Sequence, residues 1–227
     1  MIEFDLDQTE IRELNRHLQG LDAGGDDLVC QVTHPSGKHA LAVGLTVPAD
    51  VTIDGHTGYY CGGMNHQARI TVTGNAGPGL AENIMSGLIR VRGNASQYAA
   101  ASGHGGLVVI EGDAAARCGI SMKGVDIVVA GSVGHMSGFM AQTGHLLICG
   151  DAGHHLGDSI YEAHIYVRGS VDSLGADCVE KEMTDRHLQS ISRLLTEAGV
   201  EADPNDFRRY GSERKLYHFH VDHADAY

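Results

Sequence analysis

Between residues 51 and 169 one pattern returns seven times: two branched aliphatic residues at alternate positions, then glycine. The aliphatic pairs are Val51/Ile53, Ile70/Val72, Ile89/Val91, Val108/Ile110, Ile127/Val129, Leu146/Ile148 and Ile165/Val167. They stand four and two positions ahead of Gly55, Gly74, Gly93, Gly112, Gly131, Gly150 and Gly169, which follow one another at a constant step of 19 residues. Apolar residues at alternate positions over so short a run predict a strand with one buried face. A fixed period near 20 predicts a repeat architecture. Two residues after each glycine the side chain is small or branched (Thr57, Ala76, Ala95, Ala114, Val133, Ala152, Val171). Seven residues after it only Gly or Ala occurs, in Gly62, Ala81, Ala100, Gly119, Gly138, Gly157 and Ala176. That column accepts no bulk, as at a corner or a close approach of neighbouring backbone.

Nineteen residues cannot hold a strand and a full crossover helix, and the Asn/Cys ladder of leucine-rich repeats is absent. The expected fold is therefore all-β: a right-handed parallel β-helix of about seven 19-residue coils, stacked at the inter-strand spacing of about 4.8 Å. Residues 28–180 form this body. Residues 1–27 are expected to cap one end, with a strand (Ile2, Phe4, Leu6) and a helix starting at Thr9 that carries Ile11, Leu14 and Leu18 on one face. Residues 181–227 are expected to cap the other. There Thr184 opens a helix whose apolar face is Leu188, Ile191, Leu194, Leu195 and Ala198, and Gly199 ends it. Asp203-Pro204 marks a second helix start, and Tyr210–Tyr227 reads as an extended arm.

Composition agrees with this reading. Glycine makes up 31 of 227 residues, with 24 of them between positions 51 and 180, yet Pro is only 4 and hydrophobic residues are 42%. Collagen and disordered linkers are thereby excluded. Trp is absent and aromatics are 5%, so the core must be built from small and branched aliphatic side chains. The formal net charge of −13 disfavours nucleic acid and anionic membranes as partners. No apolar run approaches a membrane span, and the acidic N-terminus does not resemble a secretion signal. Five cysteines without a CxxC spacing suit reduced thiols and a cytoplasmic location.

Candidate chemistry is sparse. GxSxG, HExxH and GxxxxGK[ST] do not occur. Gly74-Asn-Ala-Gly77-Pro-Gly79 begins a coil rather than a helix, so it does not read as a nucleotide loop. His135 and His154 share one column and His145 and His164 another, each pair on adjacent coils where two imidazoles could share a metal. Polar ladders are equally common in stacked coils, no Cys or carboxylate column is seen to complete a site, and no metal is assigned. His218-x-His220-x-x-His223, with Asp222, reads as a solvated or interface tail. Cys61 and Cys118 share a column three coils apart, too far for a cluster.

Outward positions along the strands are more informative. Polar at both ends, they turn apolar in the middle: Val109, Val128, Ala130, Leu147 and Cys149, followed by Tyr166. A contiguous patch of this kind is covered. Either the chain's own C-terminal helix or a partner protein could cover it, and these six residues form the candidate interface.

The seven coils, the "GNAGPG" and "GNAS" turns and the 19-residue period resemble the C-terminal (GXGXG) domain family of the glutamate synthase large chain. Formylmethanofuran dehydrogenase contains a chain with the same β-helix. The stretch from Leu174 to Phe219 is similar to the stand-alone glutamate-synthase-like chains, foremost the β-helix chain of N-methylglutamate synthase (methylamine–glutamate N-methyltransferase). The resemblance implies a scaffold between two partners, a glutamine-amidotransferase-like chain and an FMN-binding barrel chain that optionally carries an iron–sulfur cluster. It implies no cofactor and no catalytic residue in this chain. The implied reaction of the complex is methylamine + L-glutamate → N-methyl-L-glutamate + ammonia. The alternatives are another glutamate-synthase-like amidotransferase complex or the formylmethanofuran enzyme.

Overall fold

The computed structural model describes residues 1–25 and 28–214. The His218/His220/His223 motif and the rest of the expected arm lie outside them.

Among the described residues, eleven strands form one sheet. β1 (Ile2–Asp5), β2 (Val29–Thr33), β3 (Asp50–Asp54), β4 (Arg69–Val72), β5 (Leu88–Val91), β6 (Leu107–Ile110), β7 (Lys123–Val129), β8 (Thr143–Ile148) and β9 (His164–Val167) stack in chain order. Every neighbouring pair among these nine is parallel. From β3 to β9 the register advances by 19 residues, as in Val51↔Ile70 and Ile70↔Ile89, apart from an irregularity at the start of β7 where Lys123 faces Thr143. All fourteen inward aliphatics of the repeat are buried at 0–1% exposure. The column two residues after the glycine forms a second parallel ladder, Thr57–Ala76–Ala95–Ala114–Val133–Ala152–Val171. A β-solenoid of 19-residue coils is thus the fold, as the periodicity predicts.

The register glycines are explained by what stacks on them. A Cβ on Gly74 would lie 2.6 Å from the carbonyl carbon of Gly55, and one on Gly131 would lie 2.7 Å from the Gly112 oxygen. Over the same glycines fold the side chains of the following column. Asn75 accepts from the Asn94 N–H (2.8 Å), Asn94 from Asp113 (2.8 Å) and Asp113 from Ser132 (2.7 Å). Ser132 then accepts from Asp151 (2.9 Å) and Asp151 from Ser170 (2.7 Å). Close approach, not a special φ, requires glycine at these sites: of the seven, only Gly55 has a positive φ.

The Gly/Ala column has both reasons. Gly138 has φ +69°, and a Cβ there would sit 2.7 Å from Ile165 Cδ1. In the first six registered coils the residues around this position alternate into the left-handed region, as in Tyr98, Ala100 and Ser102, whereas in the last coil only Asp177 enters it. Such a conformation costs an L-residue about 1–2 kcal/mol. Hydrogen bonds to both neighbouring coils offset it: Ala100 N–H donates back to Leu80 O (2.7 Å), while Ser102 N–H donates forward to Ile120 O (2.9 Å).

Ahead of the seven registered coils lies an irregular one. β2 pairs with β3 at a 21-residue offset, Cys30↔Val51, so His34 stands where the register would place glycine. It carries φ +53°. The helix α1 (Ile11–Gln19) closes this end, burying Leu14 and Leu18 in the core. Its Asn15 and Gln19 donate to the open carbonyls of Ala40 (2.7 Å) and Val43 (2.8 Å). The N-cap position is Glu10, one residue later than the expected Thr9.

At the other end β10 (Cys178–Lys181) is followed by α2 (Asp185–Ala198), a single 3-10 turn (Pro204–Asp206) and β11 (Arg208–Ser212). β11 runs antiparallel along β9, and β10 runs antiparallel along β11. This reversal ends the parallel stack, and it is how the first part of the expected extended arm is used. The second helix expected at Asp203-Pro204 is only the 3-10 turn, capped by the Asp203 carboxylate accepting from Asn205 N–H (2.9 Å).

Candidate functional site

The apolar outward ladder is sealed by the chain itself. Val109, Val128, Leu147, Cys149 and Tyr166 are buried at 0–3% exposure against Ile191, Leu194, Leu195 and Ala198 of α2 and Phe207 beyond it. Ala130 is half-buried and is not among the residues of this cluster. Of the two occupants open at these positions, the chain's own C-terminal helix covers five of the six, and its buried residues are four of the five that the sequence marks, Leu188 staying half-buried outside the cluster. Polar pins fix the helix. Arg90 donates to the Ala198 carbonyl (2.9 Å), Arg193 donates to Asp126 (2.8 Å), and Tyr166 Oη lies 3.0 Å from His187 Nδ1. Gly199, at φ +65°, closes the helix in the left-handed conformation.

The edge of this seal gathers the titratable groups. Asp126, His145 and His164 occupy one column on successive coils, so a carboxylate does precede the histidine pair, contrary to the sequence reading. Asp126 Oδ1 meets His145 Nδ1 at 2.7 Å. Burial alone would raise the Asp126 pKa, but the hydrogen bonds from His145 and Arg193 hold it below the usual carboxylate range. The His145 and His164 rings stand 5.6 Å apart, and His187 meets His164 edge-on at 5.0 Å. Burial, reinforced by Arg209, His145, His187 and Arg186, pulls His164 down to about 4. It is neutral at pH 7. Burial pushes Tyr166 up to about 12.

The other stacked pair is not brought together into a ring contact. His154 instead faces Asp172 (3.9 Å) and Ser173 (3.5 Å). Among the described residues, the group whose ligand atoms all lie within 4.8 Å of one another is Asp5, Asp7 and His34, where His34 Nδ1 and Asp5 Oδ1 are 2.8 Å apart at the surface. The five cysteines are all free and buried. Burial pushes Cys61 and Cys118 up to about 12, and Cys30 and Cys178 up to about 11, which removes them from thiolate chemistry.

Beside the histidines, between β9, β10, β11 and the start of α2, opens a cleft of about 680 Å³ lined by His164, Lys181, Arg186, Arg209 and Arg214. Sequence reasoning missed it. Its basic residues, Lys181, Arg186, Arg209 and Arg214, sit outside the 19-residue register, and Lys181 and Arg209 meet His164 only because β11 folds back on β9.

Fold and cap together define a capped parallel β-solenoid, consistent with the glutamate synthase C-terminal domain type that the repeat resembles. The chain belongs to the family of Protein GlxC of Rhizobium meliloti (strain 1021), to which it is 58% identical over 225 residues, 99% of each chain. No family model matches the chain, and no solved structure matches it significantly. Among the described residues no helix is long and apolar enough to cross a membrane.

Proposed function

We propose that this chain is the β-solenoid scaffold of a glutamate-synthase-like complex, N-methylglutamate synthase in the finer reading. The observation that carries the proposal is the uninterrupted stack of seven 19-residue coils with GXGXG-type turns. Stacked backbone hydrogen bonds and a closely packed core make such a solenoid a rigid spacer. Its partners in this reading are a glutamine-amidotransferase-like chain and an FMN-barrel chain, and the chemistry belongs to them. Because α2 occupies the apolar ladder, partner contacts fall on other faces. Exposed Met64 and Met140, at left-handed positions of the coils, and exposed Tyr59, Met85 and Tyr161 are large apolar groups available there.

Reconstitution tests this directly. The three chains together, supplied with methylamine and L-glutamate, are expected to form N-methyl-L-glutamate and release ammonia. Omitting the solenoid chain is expected to abolish turnover. Full turnover by the two partner chains alone would overturn the scaffold role, and turnover with a different product would overturn the finer reading only.

A further inference from the structure

The cleft between β9, β10, β11 and α2 concentrates positive charge in an acidic protein. Lys181, Arg186, Arg209 and Arg214 are four of the chain's 16 Lys and Arg residues, against a net charge of −13. The pairing of the cap strands forces two of them together: Lys181 and Arg209 are directly opposed across β10 and β11. Like charges in that position repel and destabilise a sheet. Arg214 is balanced by Asp177 at 2.7 Å, and one Arg209 nitrogen donates to the Glu182 carbonyl at 3.0 Å. Lys181 and Arg186 have no ion-pair partner among the described residues. The single carboxylate on the wall, Glu162, is already engaged. Two wall residues also keep buried polar atoms without a partner, His164 Nδ1 and Arg209 Nε. Folding alone gives no reason to assemble such a set.

We infer that this cleft binds a small anion bearing two carboxylates or a phosphate group. Guanidinium forks pair with both groups in planar, two-point geometry, and a lysine adds a point charge. The volume of about 680 Å³ falls within the range of small-molecule sites. Neutral His164 contributes a hydrogen-bonding ring rather than a further charge. This site is a property of the isolated chain and does not depend on the partners proposed above.

Calorimetric titration of the full-length chain at low ionic strength tests the proposal, with succinate, L-glutamate and inorganic phosphate as probes and chloride as the charge control. At least one of the three probes is expected to saturate a single site, with a Kd below about 1 mM. Preference for succinate and glutamate or for phosphate then identifies the carboxylate or the phosphate source. Lys181→Gln and Arg186→Gln are each expected to weaken binding at least tenfold, while Arg12→Gln, on α1, leaves it unchanged. Without ligand Lys181→Gln should melt no lower than the parent, because it relieves repulsion. A purely structural lysine would lower the melting temperature instead. Absence of saturation by all three probes, or equal affinity in parent and variants, would overturn the site.

Discussion

The registered coils and the C-terminal cap follow different rules. In the strands and turns of the coils the residue 19 places away sets the choice: aliphatic over aliphatic, glycine over glycine, and one short polar side chain (Asn, Asp or Ser) over another. The cap leaves the register, reverses strand direction, and sets His187 against Tyr166 and four basic residues around His164. The lesson is that a solenoid devotes its repeat to rigidity and leaves its chemistry where the repeat ends.

Substitutions separate the two regions. The largest effect is expected from Gly131→Val, whose Cβ would press on the Asp113 side chain and lie 2.7 Å from the Gly112 oxygen. A loss of about 4 kcal/mol, read by thermal or denaturant unfolding, is expected. Leu147→Asp follows, at about 3–4 kcal/mol, because it buries a carboxylate between sheet and α2. Hydrogen exchange should show α2 losing protection first, with the coils retained. Loss of the whole solenoid together would contradict a cap that is separable from the stack.

The pH dependence is a smaller and sharper test. His164 is pulled down to about 4 in the folded chain, so the unfolded chain takes up the proton first as pH falls. Its contribution to stability is therefore intact above the unfolded pKa of about 6.5 and is lost progressively between there and about 4. Allowing for solvent screening of a half-buried ring, the loss is about 2 kcal/mol. A His164→Asn variant should show a flatter fall in melting temperature across that window. Last comes Asn94→Ala in the polar ladder, which leaves the Asp113 N–H without its side-chain acceptor and should cost about 1 kcal/mol.

The difference between the regions also explains what the sequence disclosed. Strict periodicity made the strands, the buried aliphatics and the Gly/Ala corner legible, because identical neighbours impose identical constraints. The apolar faces of both helices were legible for the same kind of reason. The first coil was not, since its 21-residue offset puts His34 in the glycine place. Neither were the left-handed Tyr98 and Ser102, where inter-coil hydrogen bonds override the intrinsic preference of the residues. The outward ladder was visible as a covered surface, but whether α2 or a partner covered it depended on where the chain turned after β10. The basic cleft was hidden altogether, because Lys181 and Arg209 become neighbours only through the antiparallel return of β11. Asp126 was in the histidine column throughout, and its 19-residue spacing from His145 was the signal that could have found it.

Native mass measurement of the chain co-expressed with an amidotransferase-like chain and an FMN-barrel chain tests the scaffold account most directly. The account predicts one assembly containing all three, which falls apart into separate chains when the solenoid is omitted. A solenoid that remains alone beside an intact pair of the other two would contradict it.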